Sequence, residues 1–178
     1  MNNLKNILII IMFFVTTNCN ESNSDQFTEE DSNEPFTEQE LKEFKCKCLK
    51  TDTFYDKIVL FTGFDNNEFN SVLIKEYNDE TLLDSFKIHV SPSGSPWQKE
   101  HKQRIGTISR TMNVKYNYHF IIPGQKPYVL SDMKMILWPE CLHVSKGYGC
   151  KMGDFRIDGV RYEQVTNPNI KKRNWKDN

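Results

Sequence analysis

Residues 114–130, VKYNYHFIIPGQKPYVL, carry the pattern that most constrains the fold. Aromatic or aliphatic side chains stand at every second position from Tyr116 to Ile122, and the polar residues Asn117 and His119 lie between them. Because side chains two apart share one face of a strand, this alternation predicts a sheet with one buried face. The pair Pro123-Gly124 then breaks the run with the residues that a tight turn prefers, and the alternation resumes beyond it. The stretch therefore predicts an antiparallel hairpin at the centre of the fold.

Short apolar runs of the same kind recur along the rest of the chain, separated by turn residues. The chain has no alanine, so the best helix former is missing and β-branched and aromatic residues must form the core. We expect about eight short strands at roughly 10–15-residue spacing, two of them joined at Asp158-Gly159, a strong hairpin signal. The prediction is an all-β fold, a single β-sandwich of immunoglobulin-like or transthyretin-like type with one short N-terminal helix.

The helix prediction rests on residues 36–44. Thr37 can cap a helix, and Glu40 stands three positions later, as in a capping box. The amphipathic pattern lasts only about two turns, so we expect the helix to end before Cys46.

The first eighteen residues have the anatomy of a secretion signal, with a basic residue near the start and an apolar run at residues 7–15. Nine apolar residues make a helix of about 14 Å, which is too short for a bilayer core of about 30 Å. Cys19 follows directly, and this arrangement resembles the signal of bacterial lipoproteins, in which the leader is removed and the cysteine is lipidated. The resemblance implies a lipid anchor, palmitate included, at Cys19. The alternative is a plain secreted protein with an incidental cysteine.

The segment after Cys19 is polar and acidic, with nine carboxylates and one lysine between residues 20 and 44. It can bury too little apolar surface to fold alone, so it predicts a disordered spacer. We therefore divide the chain into a signal peptide at 1–18, a lipid-anchored acidic tether ending in the short helix at 19–44, and a β-sandwich domain at 45–178. That domain is mildly basic, with 21 Lys+Arg against 15 Asp+Glu.

The order of turn and strand signals in the domain looks similar to that of small, uncharacterised exported lipoproteins. The signals are Gly63-Phe64, Tyr116-x-Tyr118, Pro123-Gly124, Ser131-Asp132, Gly149-Cys150 and Asp158-Gly159. The resemblance implies a β-domain of the cell envelope, anchored by lipid to the outer membrane on its periplasmic or its surface face. It implies no particular activity, and an exported chain has no nucleic acid as partner.

Four cysteines remain after Cys19, namely Cys46, Cys48, Cys141 and Cys150. An even number in an exported chain predicts disulfides. Two residues that are two apart on an extended strand are poorly placed for a bridge, so we expect the two early cysteines to pair with the two later ones, in either combination. The alternative is a zinc site, but structural zinc sites prefer Cys-x-x-Cys spacing, which neither pair has. We predict no metal and no cofactor.

No catalytic constellation stands out in the sequence. The histidines His89, His101, His119 and His143 are scattered without the spacing of metal ligands. We therefore predict a non-catalytic envelope protein, a binding or accessory module for a protein or glycan partner. The alternative is an envelope hydrolase whose site is assembled only in three dimensions.

The run at residues 97–104 follows a loop rich in serine, proline and glycine. It combines an aromatic side chain with three basic ones, and we predict that Trp97, Lys99, Lys102 and Arg104 contact the partner. Such a group suits lipid headgroups or acidic glycans. The alternative is an ordinary solvated loop, and we expect residues from 167 onward to form a polar tail.

Overall fold

The computed structural model describes residues 37–55, 57–92, 94–139 and 148–176. The described part has 48% of its structure in strands and contains two helices, which confirms the all-β class. The predicted leader and residues 19–36 of the predicted tether, Cys19 included, lie outside the described residues.

The helices are α1 (Glu38–Leu49) and α2 (Pro96–Glu100). The described strands are β1 (Thr53–Phe54), β2 (Lys57–Thr62), β3 (Ser71–Asn78), β4 (Thr81–Pro92), β5 (Arg104–Ile108), β6 (Met112–Asn113), β7 (Asn117–Ile121), β8 (Tyr128–Ser131), β9 (Met135–Pro139), β10 (Tyr148–Met152), β11 (Phe155–Ile157), β12 (Val160–Tyr162) and β13 (Asn169–Lys171). There are thus thirteen strands in the described part where the sequence predicted about eight. The difference arises because several of the strands are only two or three residues long, which is too short for an alternating pattern to be recognised in the sequence.

Nine of these strands form one sheet in the order β12-β11-β8-β7-β3-β4-β5-β2-β13. Two small antiparallel ladders, β1-β6 and β9-β10, accompany it. Within the described sheet the pairing of β13 with β2 is parallel and the other pairings are antiparallel.

The central hairpin forms as predicted from β7 and β8. Tyr118 pairs with Leu130 and Phe120 with Tyr128, and all four side chains are buried. Gly124 in the connecting turn has a φ of 72°, a left-handed conformation that glycine adopts without steric cost. The alternation therefore placed the apolar face correctly against the core.

The hairpin of β11 and β12 also forms where Asp158-Gly159 predicted it. The two turn residues have φ values of 49° and 82°, and a type I′ turn requires a positive φ at both positions. Phe155 and Tyr162 stack across this pair with ring centroids 5.5 Å apart.

The large sheet curls back on itself, as the aromatic side chains of the core show. Phe61 on β2 and Phe120 on β7 belong to strands four places apart, which is about 19 Å in a flat sheet. Their ring centroids are nevertheless 6.5 Å apart, and Phe69 lies 5.7 Å from Phe61 on another side. The curl therefore brings both halves of the sheet onto one apolar core.

The capping box of α1 is confirmed: the Thr37 side chain accepts from the backbone N–H of Glu40, whose carboxylate accepts from the backbone N–H of Thr37. The predicted end of the helix before Cys46 is wrong, because α1 continues to Leu49. Cys48 is buried, and its Sγ lies 3.2 Å from the carbonyl oxygen of Ile136 on β9. This tertiary anchor extends the helix beyond its weak amphipathic pattern. Neither described helix is long and apolar enough to cross a bilayer.

Cys48 and Cys150 form a disulfide that joins α1 to β10, with 5.4 Å between their Cα atoms. These two sulfurs are therefore not zinc ligands. The expectation that the early cysteines lie on a strand is wrong, since Cys46 and Cys48 both lie on α1. Cys46 is disulfide-bonded as well. Cys141 lies outside the described residues, so its pairing stays a prediction.

The expectation of a polar tail from residue 167 onward is wrong. Ile170 is buried on β13, and the backbone N–H of Lys172 donates to the carbonyl oxygen of Thr62 at 2.9 Å. Trp175 packs over Gly63, where a Cβ would lie 2.6 Å from the indole Cγ. Gly63 also has a φ of 85°, so glycine alone satisfies both the backbone and the close approach.

Candidate partner-binding surface

The predicted contact run begins with helix α2 where the sequence predicted a loop. The Ser95 side chain caps the helix by accepting from the backbone N–H of Gln98, and the Gln98 side chain accepts from the backbone N–H of Ser95. The helix carries Trp97, which is 58% exposed. One face of its indole stacks on the ring of His101, with centroids 4.2 Å apart. The short helix therefore presents a large aromatic side chain to solvent in a fixed orientation.

The four predicted contact residues have different surroundings. Trp97 and Lys99 are exposed on α2. Lys102 is partly exposed and forms an ion pair with Asp65, with 2.7 Å between Nζ and Oδ1. The hydrogen bond from Lys102 lowers the pKa of the Asp65 carboxyl. Arg104 is fully buried, so its assignment as an exposed contact is corrected.

Arg104 is buried because it lies on the inward face of β5, in the same alternation as Ile108. Its Nη2 donates to the carbonyl oxygen of Val90 at 3.2 Å, and its guanidinium lies 4.5 Å from the ring centroid of Phe69. Nε and Nη1 have no hydrogen-bond partner among the described residues. Burial, the dominant cause, lowers the pKa of the guanidinium. The alternation of inward and outward side chains on β5 includes Arg104. Extending the predicted strand by one residue toward the amino end would have predicted that Arg104 faces inward.

A groove of about 630 Å³ lies beside α2, between that helix and the outward faces of β4 and β5. Its lining includes His89, Ser91, Ser95, Gln98, Ile105 and Thr107. The described lining has hydroxyl, amide and imidazole groups but no carboxylate, lysine or arginine. The groove therefore offers uncharged hydrogen-bond donors and acceptors beside the apolar surface of Pro92 and Ile105. The sequence did not reveal it, because its walls come from three separate elements.

The histidines do not converge in the described part of the chain. His89 lines the groove, and His101 packs on α2. His119 stacks on Tyr77 with centroids 4.4 Å apart, and burial, followed by the charge of Lys75, lowers its pKa. The predicted residue His143 lies outside the described residues. Among those residues, no group of three or more His, Cys, Asp or Glu side chains could hold a metal ion.

Comparison of the chain with protein-family models, with curated proteins and with solved structures gives no match. The class of the protein is therefore described from its fold and its surface alone. This is an all-β protein, cross-linked by a disulfide, with an uncharged groove beside an exposed tryptophan.

Proposed function

We propose that this chain is a non-catalytic binding module of the cell envelope that holds a glycan in the groove beside α2. The observation that carries the proposal is the exposed indole of Trp97 on α2, the helix whose Gln98 and capping Ser95 line a groove with hydrogen-bonding side chains. Sugar hydroxyls need both donors and acceptors, and the apolar C–H face of a sugar ring packs well on an aromatic face.

The groove favours a glycan over a protein partner for two reasons. Protein interfaces concentrate several apolar and aromatic anchors in a desolvated centre, whereas the described lining has no aromatic anchor other than His89 and carries three hydroxyl groups and one amide. Its volume lies in the range of sites for small ligands, of about 300–1,000 Å³. Lys99 stands on the same helix and adds a positive charge that an acidic sugar would use.

Two variants test the site, Trp97→Ala and Gln98→Ala. Tyr55→Ala is the matched control, because Tyr55 is 57% exposed and does not line the groove. The probe is a panel of soluble neutral and acidic oligosaccharides. We expect the wild type and the control to bind at least one of them alike, and each test variant to bind it about tenfold more weakly.

The absence of any sugar binding would refute the glycan proposal. Recovery of a protein from envelope extracts by the wild type, with loss in Trp97→Ala, would then assign the groove to a protein partner. Equal sugar binding by all variants would remove the groove from the function altogether.

We also propose that the module is lipid-anchored in the outer membrane through Cys19, after removal of residues 1–18, with residues 19–44 as its tether. The anatomy of the leader supports this. The disulfide between Cys48 and Cys150 also supports it, because disulfides persist in oxidising compartments outside the cytosol. Labelled palmitate should enter the wild type but not Cys19→Ser. Equal labelling of both would refute the anchor at this residue.

We further infer that the curled sheet closes into a sandwich of immunoglobulin-like or transthyretin-like type. The support is the contact between Phe61 and Phe120 across four strand positions. An experimental structure with two facing layers would bear this out, whereas one open sheet would overturn it.

A further inference from the structure

Lys57, the first residue of β2, is a buried lysine with a single hydrogen bond. Its side chain is only 7% exposed. Nζ donates to the carbonyl oxygen of Met152 at 3.1 Å and lies 6.0 Å from the ring centroid of Phe54. An ammonium group has three donors, so two of them have no partner among the described residues.

The charge of Lys57 also lacks a partner of opposite sign in the described part of the chain. The nearest charge with an influence is that of Lys151, which is also positive. Burial, and after it the charge of Lys151, lowers the pKa of the Lys57 ammonium to about 8. Burying a cation without a counter-ion is unfavourable, and an anion brought to Nζ would offset that cost.

A cavity of about 430 Å³ opens at this ammonium group. Its walls include Phe54, Tyr55, Ile58, Met135, Trp138 and Cys150. Two of these, Tyr55 and Ile58, are 57% and 41% exposed, so apolar side chains also form part of an accessible rim. The described lining holds two lysines and no carboxylate. The lining also includes Thr51, Thr53, Thr166 and Asn167, so the cavity combines apolar and uncharged polar walls with a positive charge.

We propose that this cavity binds a small organic anion that joins one carboxylate to an apolar body. The carboxylate accepts hydrogen bonds from the free donors of Lys57, and the apolar body lies against Phe54 and Trp138. Lys57 is the one buried amine in this lining, and a single buried amine suits one carboxylate better than a phosphate, which usually needs several donors. This site shares no described residue with the groove beside α2, so it stands or falls independently of the proposed glycan site.

The test titrates the full oxidised protein with octanoate and with octan-1-ol, its uncharged counterpart of similar length. The test variant is Lys57→Met, which keeps the volume and removes the charge. Lys151→Met is the matched control, because it removes an exposed charge from the same cavity. We expect Lys57→Met to bind octanoate about tenfold or more weakly, with little change for octan-1-ol. We expect Lys151→Met to change octanoate binding less than about threefold.

Three results would overturn the proposal. The wild type could show no saturable binding of octanoate. The two lysine variants could lose the same affinity, which would indicate general surface charge. Octanoate and octan-1-ol could bind equally in the wild type, which would indicate a purely apolar site.

A second measurement needs no variant. Acetic anhydride is used to acetylate lysines of the wild type, with and without saturating octanoate, and the modified peptides are quantified by mass spectrometry. We expect octanoate to protect Lys57 severalfold and to leave the exposed Lys99 unchanged. Equal acetylation of Lys57 in both samples would overturn the proposal.

Discussion

Replacing the buried Arg104 by methionine should stabilise the protein. The guanidinium is fully buried, and two of its nitrogens have no partner among the described residues. Methionine has a similar length and a flexible apolar chain, and its sulfur can contact the ring of Phe69 that the guanidinium now covers.

The expected magnitude follows from what Arg104 gains and loses in the fold. Each unsatisfied buried donor costs about 1–3 kcal/mol, and burying the charge itself costs several kcal/mol more. Against this stand the hydrogen bond to the carbonyl oxygen of Val90, worth about 1.5–3 kcal/mol, and the contact with Phe69, worth about 2 kcal/mol. The desolvation cost of the buried guanidinium is larger than the stabilisation from these two contacts. Arg104→Met should therefore raise the free energy of unfolding by about 1–4 kcal/mol.

Urea unfolding of the oxidised protein measures this change through the midpoint at constant slope. Arg110→Met is the matched control, because Arg110 also stacks on a phenylalanine, with 4.3 Å to the Phe86 centroid. Arg110, however, is partly exposed and pairs with Asp84 at 2.8 Å. The control should therefore lower stability by no more than about 1 kcal/mol. A lower stability of Arg104→Met would refute the reasoning, because it would show that the guanidinium is satisfied in the fold.

Three further predictions concern the cross-link, a buried amine and a backbone position. In a chain whose Cys46 and Cys141 are already serine, replacing both Cys48 and Cys150 by serine opens a loop with a sequence separation of 102, and non-reducing urea unfolding should show a loss of about 4–5 kcal/mol. The pKa of Lys57 is about 8 in the folded protein, below the ordinary lysine value of 10.5, so the unfolded chain binds more protons between these values. The stability contributed by Lys57 is therefore lowest below pH 8 and rises with pH, by about 2 kcal/mol between pH 7.5 and 9.5, and Lys57→Met should remove that rise in urea unfolding. Gly63→Ala adds a clash to a strained φ and should lower the thermal midpoint more than Gly124→Ala, which has a φ of 72° and open space around it.

Each of these has a clear contradicting result. Unchanged non-reducing stability in the double serine variant would mean that the cross-link constrains no long loop in the unfolded chain. An identical pH slope in the wild type and Lys57→Met would mean that the ammonium is well solvated. Equal midpoints for the two glycine variants would mean that the contact with Trp175 is loose.

Local chemistry predicted those parts of the fold that are specified locally. The turn at Pro123-Gly124 and the cap at Thr37 depend on residues within a few positions, and both form. The end of α1 depends instead on the disulfide of Cys48 and on its burial against β9, which no local pattern encodes. Strand β13 escaped prediction because Ile170 is its one buried apolar side chain and its partner strand is distant in sequence.

The candidate site was predicted only in part, because only some of its features follow from local composition. Trp97 and Lys99 belong to a polar run that stays on the surface, and their exposure follows from that composition. Arg104 ends the same run but begins a buried strand face, and arginine is rarely fully buried without a counter-ion. The groove is lined by consecutive elements, β4, α2 and β5, but its shape depends on how they pack; the cavity at Lys57 is formed by elements distant in sequence, so a single run of residues could not reveal it.

The parallel pairing of Leu60 with Asn169 has a consequence for how the protein is made. A polypeptide that emerges from its amino end releases β2 more than a hundred residues before β13. Throughout that interval the N–H and C=O groups along one side of β2 are open to any extended segment nearby, including another nascent copy. This edge of β2 is closed only when residues 169–171 emerge and pair with it.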